Sequence, residues 1–215
     1  MVAKVSNEHV ESLLDATESV VASLGVTGLT LDAVAKMAGV SKGGLLHYFP
    51  SKDRLIDAVI ERTVNRWRRS LEEAIGLEPE GPGRTARALV RLCLADVSTC
   101  AQQCRSSSTA MLSVLVHHGN RRTGLHEFYE ELSRSVRTEG LLPGVGDVVL
   151  ACVDGLWLHW ITGLVPTDSD HIACLGERLR RLLTSRGAES EGLETRDPKW
   201  VVPSVDPREA SCEVT

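Results

Sequence analysis

Residues 38–53 read AGVSKGGLLHYFPSKD, and the interpretation of this stretch decides the fold of the chain. Its segment Gly39-Val40-Ser41-Lys42-Gly43 matches G-x-S-x-G, the nucleophile elbow of many hydrolases. An elbow needs a strand before its serine, whereas the apolar residues before Gly39 recur at helical spacing. We therefore interpret Ser41 as the N-cap of a short helix, and we expect no catalytic residue and no enzyme activity.

Helical spacing predicts two short helices within and before this stretch. The first has Thr30 at its N-cap and ends at Gly39, and the second begins at the cap Ser41 and ends near Phe49. The apolar face of the first helix consists of Leu31, Val34, Ala35 and Ala38. Two helices of about eight residues joined by a turn form a helix-turn-helix. We expect Gly39 to supply the left-handed turn and Val40 to fill the angle between the helices.

The rest of the chain is also predicted to be helical. A first helix ends at Gly25, Ser51 caps a fourth helix that runs to about residue 75, and residues 77–84 form a loop rich in Gly, Pro and Glu. Further helices are predicted at residues 85–104, 108–118, 124–138, 146–164 and 168–186. No βαβ pattern occurs, so the predicted fold class is all-α.

Composition gives no sign of secretion or of a membrane. The chain has 42% hydrophobic and 25% charged residues and a net charge of -5. Four acidic residues in the first 24 argue against a signal peptide. The apolar stretch 148–165 contains Asp154 and His159, so we interpret it as a buried helix. The six cysteines lack the spacing of a disulfide scaffold, and we expect a cytoplasmic protein.

Several polar residues stand where a helix-turn-helix would contact DNA. Lys42 adds a positive charge at the N-terminus of the second helix, where free amides favour a phosphate. Gly43 and Gly44 each cost about 1 kcal/mol relative to alanine. They imply either a close approach of the backbone to DNA or close packing against the preceding helix.

The stretch TLDAVAKMAGVSKGGLLHYFPSKD, residues 30–53, resembles the signature of the tetracycline-repressor (TetR) family of bacterial regulators, and the resemblance extends over residues 6–62. It implies a dimeric, all-helical repressor that binds a pseudo-palindromic double-stranded operator. The DNA contacts carried over by position are Thr30, Lys42, His47, Tyr48 and Lys52. The predicted DNA-binding residues also include Ser41, Gly43, Gly44 and Leu45. Many members have tyrosine in place of Leu46, which leaves Tyr48 to supply the phosphate contact.

The charge of this region is unusual for DNA binding. Residues 1–53 contain four lysines and six acids. Since DNA affinity depends heavily on neutralising phosphates, we predict weak non-specific binding. The cluster Arg62, Arg66, Arg68 and Arg69 either assists the lysines or forms a solvated helix face.

The resemblance also implies two domains with different roles. It assigns residues 1–53 to a helix-turn-helix domain and residues 54–187 to a helical ligand-binding and dimerisation domain; we predict a disordered tail at 188–215. The predicted ligand contacts are Cys100, Met111, Leu115, Phe128, Trp157 and Trp160. The predicted dimer contacts are Val149, Val153, Leu156, Ile161, Leu175, Leu179 and Leu182.

The function implied is a homodimeric transcriptional repressor that an unknown small-molecule effector releases from DNA, with no cofactor, no metal and no membrane. One alternative remains open on the same fold. Cys93, Cys100 and Cys104 lie on one helix face, where they could serve a thiol- or metal-responsive repressor, or could be small apolar residues of the core.

Overall fold

A computed structural model describes residues 2–25, 27–94, 108, 112, 123–163 and 169–184. Within these ranges the chain forms helices and no strand, which confirms the all-α prediction. The helices are α1 (Val2–Leu24), α2 (Leu31–Ala38), α3 (Lys42–Tyr48), α4 (Lys52–Gly76), α5 (Arg84–Leu94), α6 (Thr123–Thr138), α7 (Val145–Thr162) and α8 (Ser169–Thr184).

The predicted elements agree closely with those observed in the first half of the chain. Both helices of the helix-turn-helix and the start of α4 are found where predicted, and α1 ends at Leu24, just before Gly25. The predicted helix 85–104 is observed as α5 up to Leu94; its remainder lies outside the described residues. The same is true of the helix 108–118, apart from residues 108 and 112, and of the tail 188–215.

Apolar residues of α1, α2, α3 and α4 form the core of the N-terminal part. α1 packs against α2 and α4, and α2 packs against α3. The completely or almost completely buried side chains are Val20, Leu29, Val34, Leu45, Leu55 and Ile56. Burying a residue of this size contributes about 1.5–3 kcal/mol, so this core holds α3 in place against the rest of the domain.

The long helix α4 belongs to both halves of the molecule. It contacts α1 and also packs against α5 and α6; α5 in turn contacts α7 and α8. Among the described helices, none has both the length and the apolar character needed to cross a bilayer.

Candidate DNA-contacting surface and effector region

The turn between α2 and α3 has the geometry predicted for it. Gly39 has φ +69°, the left-handed conformation that ends many helices and that glycine adopts without strain. The amides of Gly39 and Val40 donate to the carbonyl oxygens of Lys36 and Ala35, at 3.3 and 3.0 Å. The backbone therefore leaves α2 through a tight, hydrogen-bonded turn.

Serine and threonine side chains begin the helices on either side of this turn. The hydroxyl oxygens of Thr30, Ser41 and Ser51 each accept a hydrogen bond from the amide three residues further along, at 3.1–3.2 Å. Ser41 follows a helix and a turn, not a strand. It is thus an N-cap in the place where G-x-S-x-G would put a nucleophile.

With one exception, the predicted DNA-contacting residues lie at the surface. Thr30, Ser41, Lys42, Gly43, Gly44 and His47 are exposed, and Tyr48 and Lys52 are half-buried. Leu45 is the exception, because its side chain is completely buried in the core. This corrects the expectation for Leu45: its side chain anchors α3 and cannot contact DNA.

Val40 also differs from its predicted role. Its side chain is 37% exposed, so it does not fill the angle between α2 and α3. Val34 and Leu45, both completely buried, provide the apolar core of the motif. The turn is stabilised by its hydrogen bonds, and Val40 remains at the surface.

Lys42 carries an exposed positive charge that is paired within the motif. Its Nζ atom lies 2.9 Å from Oδ2 of Asp32, in the first turn of α2. Both side chains are more than half exposed, and an ion pair in such a position is weak. Lys42 can therefore exchange this carboxylate for a phosphate at low cost.

The two glycines at the start of α3 are not explained by packing. Both are exposed, and a Cβ atom added to Gly43 would meet only Ser41 Oγ, at 3.9 Å. A Cβ on Gly44 would meet the same atom at 3.3 Å and no atom of α2. The alternative of close packing against the preceding helix is thereby excluded, and an open backbone surface remains.

Arg62 of α4 binds acidic side chains of α1. Its guanidinium lies 3.1 Å from Glu11, 2.8 Å from Asp15 and 2.6 Å from Glu18, and it also donates to the Glu11 carbonyl oxygen at 3.2 Å. The Arg62 side chain is 7% exposed and that of Glu18 is 10% exposed. Arg66 reaches Glu18 as well, at 3.4 Å. We call these contacts the α1–α4 clasp.

The clasp accounts for part of the acidic charge of residues 1–53. Burial alone would lower the pKa of Arg62, but hydrogen bonds and charge attraction from Glu18, Glu11 and Asp15 raise it, so Arg62 stays charged. Three of the six acids therefore face α4 and are compensated there. This corrects both interpretations for Arg62, which is buried and paired with α1, and Arg66 reaches α1 as well; Arg69 is exposed, as a solvated helix face implies.

Aromatic side chains from three helices meet in the C-terminal part. The Trp67 ring of α4 lies 5.9 Å from the Trp157 ring of α7 in a T-shaped contact, and 6.3 Å from the Phe128 ring of α6. The rings of Phe128 and Tyr129 are also T-shaped, at 5.8 Å. The Trp157 indole donates to Ser108 Oγ at 3.2 Å. We call Trp67, Phe128, Tyr129 and Trp157 the aromatic cluster.

A half-buried carboxylate adjoins the aromatic cluster. The Tyr129 hydroxyl donates to Oδ1 of Asp154 at 2.9 Å. Burial raises the pKa of Asp154, and this hydrogen bond opposes the rise. Burial, followed by the charge of Asp154 and the hydrogen bond to it, raises the pKa of Tyr129, so the phenol keeps its proton and remains a donor.

An open groove of about 580 Å³ is lined by residues of α6, among them Tyr129, and by Leu150 of α7. Charged side chains such as Arg134 and Glu130 also line it. Tyr129 thus connects the groove to Asp154, since one side chain touches both.

The predicted ligand contacts are only partly within the described residues. Phe128 and Trp157 are there and belong to the aromatic cluster. Cys100, Met111 and Leu115, and the side chain of Trp160, lie outside the described residues. Sequence reasoning did not select Trp67, Tyr129 or Asp154 for this site. The sequence does contain one signal for Asp154: it stands three residues before Trp157, which places the two side chains on the same helix face.

Several predicted dimer contacts are buried within the chain itself. Val149, Val153 and Leu179 are at most 6% exposed in the isolated protomer. This corrects their assignment, because side chains already covered by their own chain present no surface to a partner. Leu156, Ile161 and Leu175 are half-buried, and Leu182 is exposed. Val148 and Leu158 of α7, which were not selected, are 50% and 41% exposed.

Of the predicted cysteine stripe, only Cys93 lies in the described part of the chain. Its side chain is exposed near the end of α5, whereas Cys100 and Cys104 lie outside that part. Among the described residues there is no group of three His, Cys, Asp or Glu side chains that could hold a metal ion.

Comparisons with known proteins agree with the fold and with the N-terminal motif. Residues 13–59 match the family model for bacterial regulatory proteins of the tetR family, and residues 83–184 match a tetracyclin repressor-like C-terminal domain. A curated relative is the HTH-type transcriptional regulator BetI of Burkholderia ambifaria. It is 29% identical over 171 residues, which cover 73% of this chain and 84% of the relative.

Solved structures of other proteins share the fold of this chain. A transcriptional regulator from Rhodococcus sp. RHA1 is 25% identical, with a TM-score of 0.62 over 81% of this chain and 95% of its own. The multidrug binding protein EbrR, solved with malachite green, is 20% identical, with a TM-score of 0.61 over 82% of this chain and 98% of its own. The two family models together cover well over half of the sequence, and the chain belongs to the TetR family of DNA-binding transcriptional regulators.

Proposed function

We propose that this protein is a cytoplasmic, homodimeric repressor that leaves its operator when a small molecule binds in the C-terminal half. The observation that carries the proposal is the placement of α4. This helix begins at Lys52, beside the helix-turn-helix, holds α1 through Arg62, and contributes Trp67 to the aromatic cluster. A change at the cluster can therefore act on the DNA-contacting helices through one rigid element.

On the DNA side, the proposal assigns the contacts to the exposed residues of the motif. The N-terminus of α3 presents free amides and Lys42, which suit a phosphate. His47 and Tyr48 pack edge to face, with ring centroids 5.2 Å apart, near the end of α3. The proposed contacts are Thr30, Ser41, Lys42, Gly43, Gly44, His47, Tyr48 and Lys52. Two such surfaces in a dimer would read half-sites one helical turn apart, roughly 34–36 Å.

Release from the operator would follow from a shift in population. A ligand changes the equilibrium between two dimer conformations only by as much as it prefers one of them. A ligand that fits a cluster in which α4 has moved would favour a dimer with mismatched half-site spacing. The EbrR structure with malachite green supports a small-molecule effector, because that protein shares this fold.

The proposal can be tested by DNA binding. Fluorescence anisotropy would measure the affinity of the purified protein for DNA from upstream of its own gene, against scrambled competitor, at two salt concentrations. We expect specific binding by a dimer, with a salt dependence that reflects a few phosphate contacts. The Tyr48→Ala, Lys52→Ala double variant should lose this binding.

Lys36→Ala provides a charge-matched control. Lys36 is an exposed lysine of α2 that is not among the proposed contacts, so its loss should change affinity little. Equal losses in Lys36→Ala and in the double variant would contradict the assigned contacts. No preference for any genomic fragment, tested across a library of the source genome, would contradict the repressor itself.

A further inference from the structure

The exposed face of α3 carries one large apolar side chain that is not among the assigned DNA contacts. Leu46 is 37% exposed, whereas Leu45 beside it is completely buried. Gly43 lies three residues before Leu46 on the same face of the helix, and His47 continues this face; both are exposed. An apolar side chain is thus presented by the helix that a helix-turn-helix protein places in the major groove.

The glycines of the first turn of α3 allow DNA to come close to Leu46. Gly43 and Gly44 have no side chain, and a Cβ atom added to Gly43 would meet only Ser41 Oγ, at 3.9 Å. Apart from Lys42, the first turn therefore presents bare backbone, and a helix of this shape can lie deep in the groove. A short side chain one turn later can then reach a base pair directly.

A leucine in the major groove favours one kind of partner. Its side chain has no hydrogen-bond donor or acceptor, so it cannot bind a phosphate or a polar base edge. The edge of a G·C pair carries donors and acceptors, and an apolar side chain that covers them removes water without replacing its hydrogen bonds. Thymine presents a 5-methyl group in this groove, and apolar side chains contact it favourably. Leu46 would therefore favour thymine and disfavour a G·C pair.

We propose that Leu46 is a specificity-determining residue, which reads a thymine in each half-site through contact with its 5-methyl group. Phosphate contacts from Lys42 and Lys52 carry no sequence information, so they position α3 while Leu46 selects the base. The inference deepens the proposed function by naming a feature of the operator sequence, and it rests on that function's assignment of α3 to DNA. It does not depend on the identity of the effector.

Replacing thymine by uracil removes the methyl group alone and tests this contact. Duplexes would be selected on the full-length protein from a pool with a randomised centre, and each thymine of the selected half-sites would then be replaced by deoxyuridine. Fluorescence anisotropy at fixed salt would measure the affinities. We expect one position at which the replacement weakens binding about fourfold per half-site, which corresponds to the burial of one methyl group.

Leu46→Ala should bind the thymine and uracil duplexes with equal affinity at that position, because the methyl group has lost its partner. Since Leu46 is exposed and alanine favours a helix, the variant should fold, and thermal melts would verify this. Leu46→Met keeps an apolar side chain of similar volume and should keep most of the preference for thymine. The salt dependence of binding should be the same in all three proteins, because no phosphate contact changes.

Leu77→Ala is the matched control for the loss of an exposed leucine. Leu77 is 69% exposed and follows the last residue of α4, roughly 37 Å along that helix from Lys52. This variant should distinguish thymine from uracil as well as the natural protein does.

The inference and the proposed function fail in different ways. If a duplex is selected but its half-sites lack thymine, or every uracil replacement is tolerated, DNA binding stands and the role of Leu46 is wrong. The same holds if the loss persists in Leu46→Ala, because the methyl group would then act through the shape of the duplex or through another side chain. If no duplex is selected, the proposed function is wrong and the inference fails with it.

Discussion

At the scale of single residues, the raised pKa of Asp154 predicts how the stability of the protein depends on pH. Because burial raises its pKa, the folded state holds this proton at a pH where the unfolded state, with a pKa of about 3.9, has released it. Stability is therefore lost as the pH rises from the unfolded value through the folded one, and the loss persists above it.

Asp154→Asn removes this penalty because its amide carries no charge. We expect the variant to melt a few degrees higher than the natural protein at pH 8, and the difference to disappear near pH 3.5. Circular dichroism melts across this range would measure it. A variant that is less stable at pH 8 would mean that the carboxylate contributes net stability, which contradicts the destabilisation expected from its partial burial.

At the scale of elements, we expect the glycine at position 43, at the start of α3, to lower the stability of the helix but to allow close contact with DNA. Gly43→Ala places a methyl group where it meets only Ser41 Oγ, at 3.9 Å, and raises helix propensity, which contributes up to about 1 kcal/mol. The same methyl group would stand between the backbone and a phosphate. The variant should melt higher and yet bind operator DNA several-fold more weakly.

Gly76→Ala, at the end of α4, is the control for propensity alone. A Cβ there meets no atom within 4 Å, and the residue is far along α4 from Lys52. It should affect stability without changing DNA affinity. Unchanged operator binding by Gly43→Ala would contradict the close approach of the backbone to DNA.

The α1–α4 clasp is the second element-scale feature with a measurable consequence. Arg62→Met leaves Glu18 buried without its closest partner, and breaking a buried ion pair from one side costs about 3–5 kcal/mol. Denaturant unfolding should show a loss near the lower end of this range, because Arg66 still reaches Glu18.

Replacing both partners is the control for the clasp. The Glu18→Leu, Arg62→Met double variant has no buried charge left unpaired, so it should recover a large part of the lost stability. Strict additivity of the two single losses would show that the two side chains do not stabilise each other.

At the scale of the whole molecule, the exposed apolar residues of α7 and α8 predict where two chains meet. Among the side chains of these helices that the structure describes, the exposed large apolar ones are Val148, Leu158 and Leu182. Leu158→Glu should place a charge in the interface. We expect light scattering to show a monomer and anisotropy to show lost operator binding, because one protomer contacts only one half-site.

Leu92→Glu tests whether any exposed leucine would have this effect. Leu92 lies on α5 and is 42% exposed, almost the same as Leu158 at 41%. This variant should remain a dimer. A monomer in both cases, or a dimer in both, would contradict the assignment of the interface to α7 and α8.

The sequence by itself determined the helix-turn-helix, because its signals are local. A cap such as Ser41 bonds to an amide three residues away, and Gly39 supplies its own left-handed turn. Such interactions need no knowledge of the rest of the fold. The predicted helices, caps and turn of the N-terminal part therefore agree with the structure, whereas the burial of Val40 and Leu45 depends on how α3 packs.

Only the tertiary structure decided which charges are compensated and which apolar residues remain at the surface. Arg62 and Glu11 are 51 residues apart, and their pairing depends on the angle at which α4 crosses α1. Likewise, the apolar α7 exposes Leu158 but buries Val149, because neighbouring helices cover only part of its circumference. Periodicity shows that a helix has an apolar face; the packing of helices distant in sequence determines what that face contacts.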